Sequence, residues 1–176
     1  MYMEHISRIV EDMVSQYGVR DPLDLCNAQK IFLLFEPMGS NADACKGFFL
    51  MQFGKRVIVV NNDLPDESQS IILSHELGHA VLHSHIAGVT EFHDFKLFDD
   101  VSKMEYEANL FAAELLLRDE DVLALLNDDI SFFSAASTLC VPPELLDFKF
   151  RVMKRKGYKV IDPPLMAKSN FLKDIN

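Results

Sequence analysis

Apolar residues recur with a helical spacing at the start of the chain and again through most of its second half. Over residues 1–17 they fall three or four positions apart, which is typical of an amphipathic helix. The same spacing predicts two long helices, over residues 65–84 and 101–117. Shorter helices are predicted over residues 23–29, 119–126, 131–139 and 142–155.

Three short apolar runs between these helices are typical of β-strands. They cover residues 31–35, 47–53 and 56–61. The tight connection Gly54-Lys55 between the second and third runs favours a hairpin. Helices and strands together predict an α+β fold with a small, three-stranded, mostly antiparallel sheet and further helices at the C-terminus.

The length of 176 residues suits one domain with a small appendage. We expect a core over residues 1–120 and a C-terminal helical extension over residues 121–176 that packs on this core. Within the core, residues 88–100 are predicted to form a loop between the two long helices. Residues 157–176 contain Pro163-Pro164 and are predicted to form an extended tail.

Charge and composition narrow the classes of function. Asp and Glu number 27 against 17 Lys and Arg, which gives a net charge of −10. Because phosphate binding needs a basic face, direct nucleic-acid binding is disfavoured as the main activity. No apolar run approaches the ~20 residues that span a bilayer, and no secretory signal is visible. The short apolar runs predict no membrane association. The three cysteines form no CxxC pair, so we expect reduced thiols and a cytoplasmic location.

The main chemical signal is the sequence HELGH at residues 75–79, inside a predicted helix. His75 and His79 are four residues apart, so their rings leave the same helix face and can both bind one zinc ion. Glu76 lies beside the first ligand, where it can accept a proton from zinc-bound water. This HExxH pattern is a known signature of zinc proteases.

A catalytic zinc ion needs a third protein ligand, and the next long helix supplies a candidate. Glu105 and Asn109 are four residues apart and share a face, so Glu105 can bind the metal while Asn109 orients a ligand histidine. Glu107 points to a different face and is the weaker candidate. His85 occupies the position of a third metzincin histidine, but that pattern needs a glycine where this chain has Leu82.

Other polar residues near the motif have more than one interpretation. His83 lies one turn after His79, at the edge of the expected cleft, although a partly exposed histidine at a helix end is the simpler interpretation. His93 lies in the predicted loop. An oxyanion donor is also expected, and Tyr106, His83 and His93 all remain candidates. For pairing with extended substrate, the strands over residues 47–53 and 56–61 are both open.

The pattern as a whole resembles the ImmA/IrrE family of small zinc metallopeptidases. The resemblance rests on Asn61, on SHELGHAVLH at residues 74–83 and on EYEANLFAAELLL at residues 105–117. It implies a minimal, gluzincin-like zincin core. It further implies that zinc is the cofactor and is bound by the two motif histidines and Glu105, with Glu76 as general base or acid. Where many relatives have Met-Pro this chain has Leu117-Arg118, which affects only the end of the helix.

The resemblance also implies a function. Members of the family inactivate a helix-turn-helix repressor, commonly by cleaving it, in phages and mobile elements. The length of the chain is similar to that of this anti-repressor branch. An alternative is a non-proteolytic anti-repressor, or a toxin–antitoxin-like partner, that binds the repressor without cutting it.

One cluster of basic residues lies near the C-terminus. It comprises Lys149, Arg151, Lys154, Arg155, Lys156 and Lys159. The favoured interpretation is the solvated face of a C-terminal helix. Contact with DNA, with the peptidase cleft or with a partner remains open.

Overall fold

A computed structural model describes residues 2–84, 98–127 and 130–175. The helices are α1 Tyr2–Tyr17, α2 Pro22–Ala28, α3 Asp66–Leu82, α4 Phe98–Leu116, α5 Asp119–Asn127, α6 Phe132–Thr138 and α7 Pro143–Arg155. The strands are β1 Phe32–Glu36, β2 Gly47–Gln52 and β3 Lys55–Asn61. The predicted α+β class is therefore confirmed. Helix α4 begins within the predicted loop, whose residues 88–97 lie outside the described part.

The sheet is mixed, with strand order β1-β3-β2. Strand β2 pairs antiparallel with β3, as the hairpin predicted, and Phe49 lies opposite Ile58. Strand β1 pairs parallel with β3, so that Phe32 lies opposite Val57. The sequence predicted a mostly antiparallel sheet because it shows only the local hairpin. Strand β1 could join either edge of the hairpin, and contacts between residues distant in sequence decide which edge it joins.

Asn61 at the end of β3 fixes the connection that leads from β1 to β2. Its side chain is fully buried. The amide nitrogen donates hydrogen bonds of 2.8 Å to the carbonyl oxygens of Gly39 and Cys45. The amide oxygen accepts from the backbone N–H of Met38 and Asp63. These four hydrogen bonds place the first residue of β2 beside α3, so Asn61 has a structural role near the motif.

Helix α3 packs against β2 and β3 on one side and α4 on another. It is buried along most of its length, including the whole HELGH segment. At Gly78 a Cβ atom would lie 3.2 Å from Ala108 Cα, and therefore only small residues permit this helix crossing. Ala112 and Ala113 on α4 are fully buried as well. The two helices therefore approach each other closely at this point.

Helix α7 packs on α4 and α1. Lys149 on α7 is only 1% exposed, and its Nζ lies 2.7 Å from Glu114 Oε2 and 2.5 Å from Asp119 Oδ1. Lys156 also pairs with Glu114 and Asp119. The interpretation of the basic run as a solvated face is wrong at these two lysines, because each forms ion pairs with acidic residues of neighbouring helices.

The C-terminal segment is not a free extended tail. It ends in a short 3-10 helix, Phe171–Asp174. Phe171 is buried, with its ring stacked on Phe148 at a centroid distance of 5.7 Å. Leu172 is also buried. Within residues 2–84, 98–127 and 130–175, no helix combines the length and apolar character needed to cross a bilayer.

Candidate metal centre

Helices α3 and α4 bring together the three residues that the sequence suggested as metal ligands. Nε2 of His75 and Nε2 of His79 are 3.1 Å apart. The Glu105 carboxylate lies 3.4 Å from each of these nitrogens. The ligand atoms of the three residues all lie within 4.8 Å of one another. Two imidazole nitrogens and one carboxylate oxygen form a donor set that suits a catalytic zinc ion and leaves a fourth position open.

The electrostatics of this cluster favour an ionised Glu105. Burial by itself would raise the pKa of this carboxyl group. Hydrogen bonds and charge from His75 and His79 outweigh burial and hold the pKa well below its usual range. The group is therefore a carboxylate, which is the form that binds a metal.

Glu76 lies in a different environment, although it neighbours the same cluster. Its side chain is buried, and burial raises its pKa to about 7. His79 opposes this rise, the negative charge of Glu105 adds to it, and a hydrogen bond from the Phe49 backbone opposes it. A carboxyl group held in this way can take up and release a proton near neutral pH.

Strand β2 approaches the cluster closely at Gly47. A Cβ atom on this glycine would lie 2.5 Å from Ile72 Cγ2 and 3.7 Å from Glu76 Cγ. Only glycine fits, because any side chain would collide with α3. The side chain of Glu76, the predicted motif residue, therefore lies between α3 and the start of β2.

A second group of buried polar residues adjoins the cluster. Nδ1 of His79 lies 3.0 Å from Nδ1 of His83. Nε2 of His83 lies 2.6 Å from Glu107 Oε2. His83 is 6% exposed and Glu107 is 8% exposed, so His83 is not the partly exposed helix-end residue that the sequence favoured. The sequence analysis missed the pairing of Glu107 with His83, because the two residues are 24 positions apart on different helices.

Asn109 does not make the predicted contact with a ligand histidine. Its amide nitrogen donates a 2.7 Å hydrogen bond to the carbonyl oxygen of Ser169. Asn109 Oδ1 and His75 Nδ1 are both buried, and neither has a hydrogen-bond partner among the described residues. The side chain therefore fastens the C-terminal segment to α4.

The remaining candidates of the cleft are placed as follows. Tyr106 packs on α7, with its ring 5.5 Å from that of Phe148 and 5.6 Å from the guanidinium of Arg151. This position results from the helical rotation between Glu105, which faces α3, and the next residue. His85 and His93 lie outside the described residues.

Comparison with known proteins decides the family. Residues 26–151 match the model of peptidase family M78, described as the IrrE N-terminal-like domain. This span is more than half of the chain and includes the three clustered residues. The chain belongs to the ImmA/IrrE family. Membership in this metallopeptidase family supports a protease role and implies a bound metal.

Two relatives match most of the chain. The chain is 31% identical over 144 residues to the uncharacterized immunity region protein 2 of Bacillus phage phi105, covering 82% of this chain and 88% of that protein. It is 28% identical over 154 residues to metallopeptidase ImmA of Bacillus subtilis strain 168, covering 82% of this chain and 83% of that protein. The ImmA/IrrE likeness therefore includes most of the chain.

Proposed function

We propose that this protein is a zinc-dependent endopeptidase that cleaves and so inactivates a helix-turn-helix transcriptional repressor. The observation that carries the proposal is the convergence of His75, His79 and Glu105 beside the buried Glu76. We assign zinc binding to the first three residues and proton transfer to Glu76. The donor set of two histidines and one carboxylate matches the preference of catalytic zinc.

The proposed mechanism divides the work between the metal and Glu76. Zinc in this position supplies Lewis acidity that activates water and polarises the scissile carbonyl. Glu76 removes a proton from the attacking water and passes it to the leaving amine. Its side chain is buried beside the three proposed ligands, where it can first accept a proton and then release it.

Strand β2 is the proposed binding site for extended substrate. Among the described residues, β3 is central and β2 is an edge strand, so only β2 of the two predicted candidates has a side without a neighbouring strand. The backbone N–H of Asn61 donates to the carbonyl oxygen of Lys46 at 3.0 Å. Lys46 and Asn61 are therefore a hydrogen-bonded pair, and along β2 every second residue from Lys46 bonds to β3. By this alternation the polar backbone groups of Gly47, Phe49 and Met51 point away from β3. The Phe49 N–H already bonds to Glu76, so a substrate strand can pair with the other outward groups, those of Gly47 and Met51 among them.

The choice of a repressor as substrate rests on family and charge. One relative is a phage immunity region protein and another is metallopeptidase ImmA. The net charge of −10 favours docking on a basic, DNA-binding protein. Such a repressor works in the cytoplasm, which is the location we propose for this protein.

The Glu76→Gln variant tests the chemistry. We expect it to keep its zinc, because the three ligands are unchanged, and to cleave the repressor encoded beside its gene about 100- to 10,000-fold more slowly. Zinc content is measured by elemental analysis and cleavage by mass spectrometry of repressor fragments. The matched control is Glu67→Gln, an exposed glutamate in the first turn of the same helix. Wild-type cleavage by Glu76→Gln would refute the assigned role.

The same assay separates the alternative function. If wild-type protein releases the repressor from its operator and no fragments form, the protein is a non-proteolytic anti-repressor or a toxin–antitoxin-like partner. A stable complex with intact repressor would then be isolated by size-exclusion chromatography. Fragments that depend on Glu76 support the peptidase.

A further inference from the structure

The candidate metal centre continues into a line of buried hydrogen bonds that the proposed mechanism does not use. It runs from His79 through His83 on α3 to Glu107 on α4. The two contacts are 3.0 Å and 2.6 Å long. All three side chains are almost excluded from solvent. Burial of a polar group costs free energy unless the group is hydrogen-bonded. These buried contacts are therefore a specific feature of the site.

The geometry determines which way each hydrogen bond points. Nε2 of His79 faces His75 and Glu105, so it is the nitrogen that binds a metal. Nδ1 of His79 must then carry the proton and donate to Nδ1 of His83. His83 accepts at Nδ1, and its neutral ring therefore carries a proton at Nε2, which it donates to Glu107 Oε2. When the protons are donated in this direction, each ring nitrogen of His79 and His83 has either a hydrogen-bond partner or the metal.

We infer that His83 and Glu107 are positioning residues, which hold the ring and tautomer of His79 ready to bind the metal. This inference rests on the proposed function in that it assumes a metal at the cluster. Most metal-binding histidines donate their second nitrogen directly to a carboxylate or a carbonyl oxygen. Here His83 is inserted between the ligand histidine and the carboxylate of Glu107. The arrangement assigns to His83 the role that the sequence suggested for Asn109.

Burial and position support a specific role over simple packing. An apolar residue at 83 would fill the same space, yet it would leave Nδ1 of His79 without an acceptor in a buried site. The Glu107 carboxylate contacts Lys103 Nζ at 3.7 Å with its other oxygen. Lys103 is 63% exposed, so the line ends at the protein surface.

Metal affinity in the absence of substrate is the deciding measurement. The full-length protein is titrated with zinc against a chromophoric chelator, for wild type, His83→Ala and Glu107→Ala. We expect both variants to bind zinc about 10- to 100-fold more weakly, as is usual when the partner of a ligand histidine is removed. The visible absorption spectrum of the cobalt-substituted protein should change in shape, because the orientation of one ligand is no longer fixed.

Two further variants separate positioning from general damage. His83→Gln offers an acceptor and a donor on one side chain and should recover much of the zinc affinity. His5→Ala removes an exposed histidine of α1 and should bind zinc as wild type does. Circular dichroism identifies any variant that fails to fold. If His83→Ala is such a variant, Glu107→Ala decides the question.

The result is independent of the cleavage assay. Wild-type zinc affinity and an unchanged cobalt spectrum in folded His83→Ala and Glu107→Ala would overturn the inference, even if the protein cleaves its repressor. Weaker zinc binding in these variants supports it, even if no cleavage is found in the wild type. A wild-type protein that binds no zinc would refute both this inference and the proposed function.

Discussion

At the scale of single residues, the chemistry depends on the directions in which the side chains of two glutamates of α4 point. Glu105 and Glu107 are two positions apart, and a helix turns far enough over that distance to separate their faces. Glu105 lies against the rings of His75 and His79, whereas Glu107 lies against His83. One carboxylate is thus a direct ligand candidate, and the other acts through a histidine.

This difference predicts the order of two losses. Glu105→Ala should weaken zinc binding more than Glu107→Ala, because it removes a ligand atom from the cluster, whereas Glu107→Ala is expected to cost about 10- to 100-fold. Zinc dissociation constants from chelator competition check this order. The reverse order would make Glu107 the third ligand.

At the scale of elements, the site depends on two close approaches to α3. Helix α4 comes near at Gly78, and β2 comes near at Gly47. At Gly47 a Cβ atom would also lie 2.9 Å from the backbone oxygen of Val59. Strand β2 can therefore keep its place between β3 and Glu76 only because it begins with glycine.

Gly47→Ala should disturb both the fold and the site. The added methyl group must displace Ile72 or the start of β2, and overpacking of this kind costs about 1–3 kcal/mol of unfolding free energy. Cleavage should fall too, because Glu76 lies next to the displaced segment. Urea unfolding and the repressor assay measure the two effects. Gln52→Ala, at the exposed end of the same strand, serves as the control, and an unchanged urea midpoint in Gly47→Ala would contradict this account.

At the scale of the whole molecule, buried ion pairs join the C-terminal helices to the rest. Lys149 on α7 contacts Glu114 on α4 and Asp119 on α5. Glu114 is only 4% exposed, so its charge has little access to water. The C-terminal segment adds Phe171 on Phe148 and the hydrogen bond from Asn109 to Ser169. Position and stability of α4, and with it Glu105, therefore depend on residues far along the chain.

Lys149→Met tests this dependence. It leaves Glu114 and Asp119 with only Lys156 as a shared partner, and breaking a buried ion pair typically costs about 3–5 kcal/mol. We expect a loss near the lower value, about 3 kcal/mol, because Lys156 remains. Chemical denaturation measures the loss. Lys159→Met, at an exposed position, should change stability little, and equal stabilities of the two variants would show that Lys149 is not essential to the packing.

Much of the fold and site followed from local spacing. The four-residue interval between His75 and His79 specifies a shared helix face wherever the helix packs, and the apolar periods located α1, α3 and α4. The combination of HELGH with the motif at Glu105 was specific enough to indicate the ImmA/IrrE family, which the comparison confirmed. These features need only the geometry of a helix and are readable from the chain alone.

Tertiary structure decided the rest, because it depends on partners distant in sequence. The parallel side of the sheet, the burial of Lys149 and the docking of the C-terminal segment each require a contact between separate elements. The same holds for the line from His79 through His83 to Glu107, which crosses from α3 to α4. The sequence by itself determined which groups are candidates for metal binding. Only packing determined which polar groups support them, since a buried polar side chain takes whichever partner the fold brings within reach.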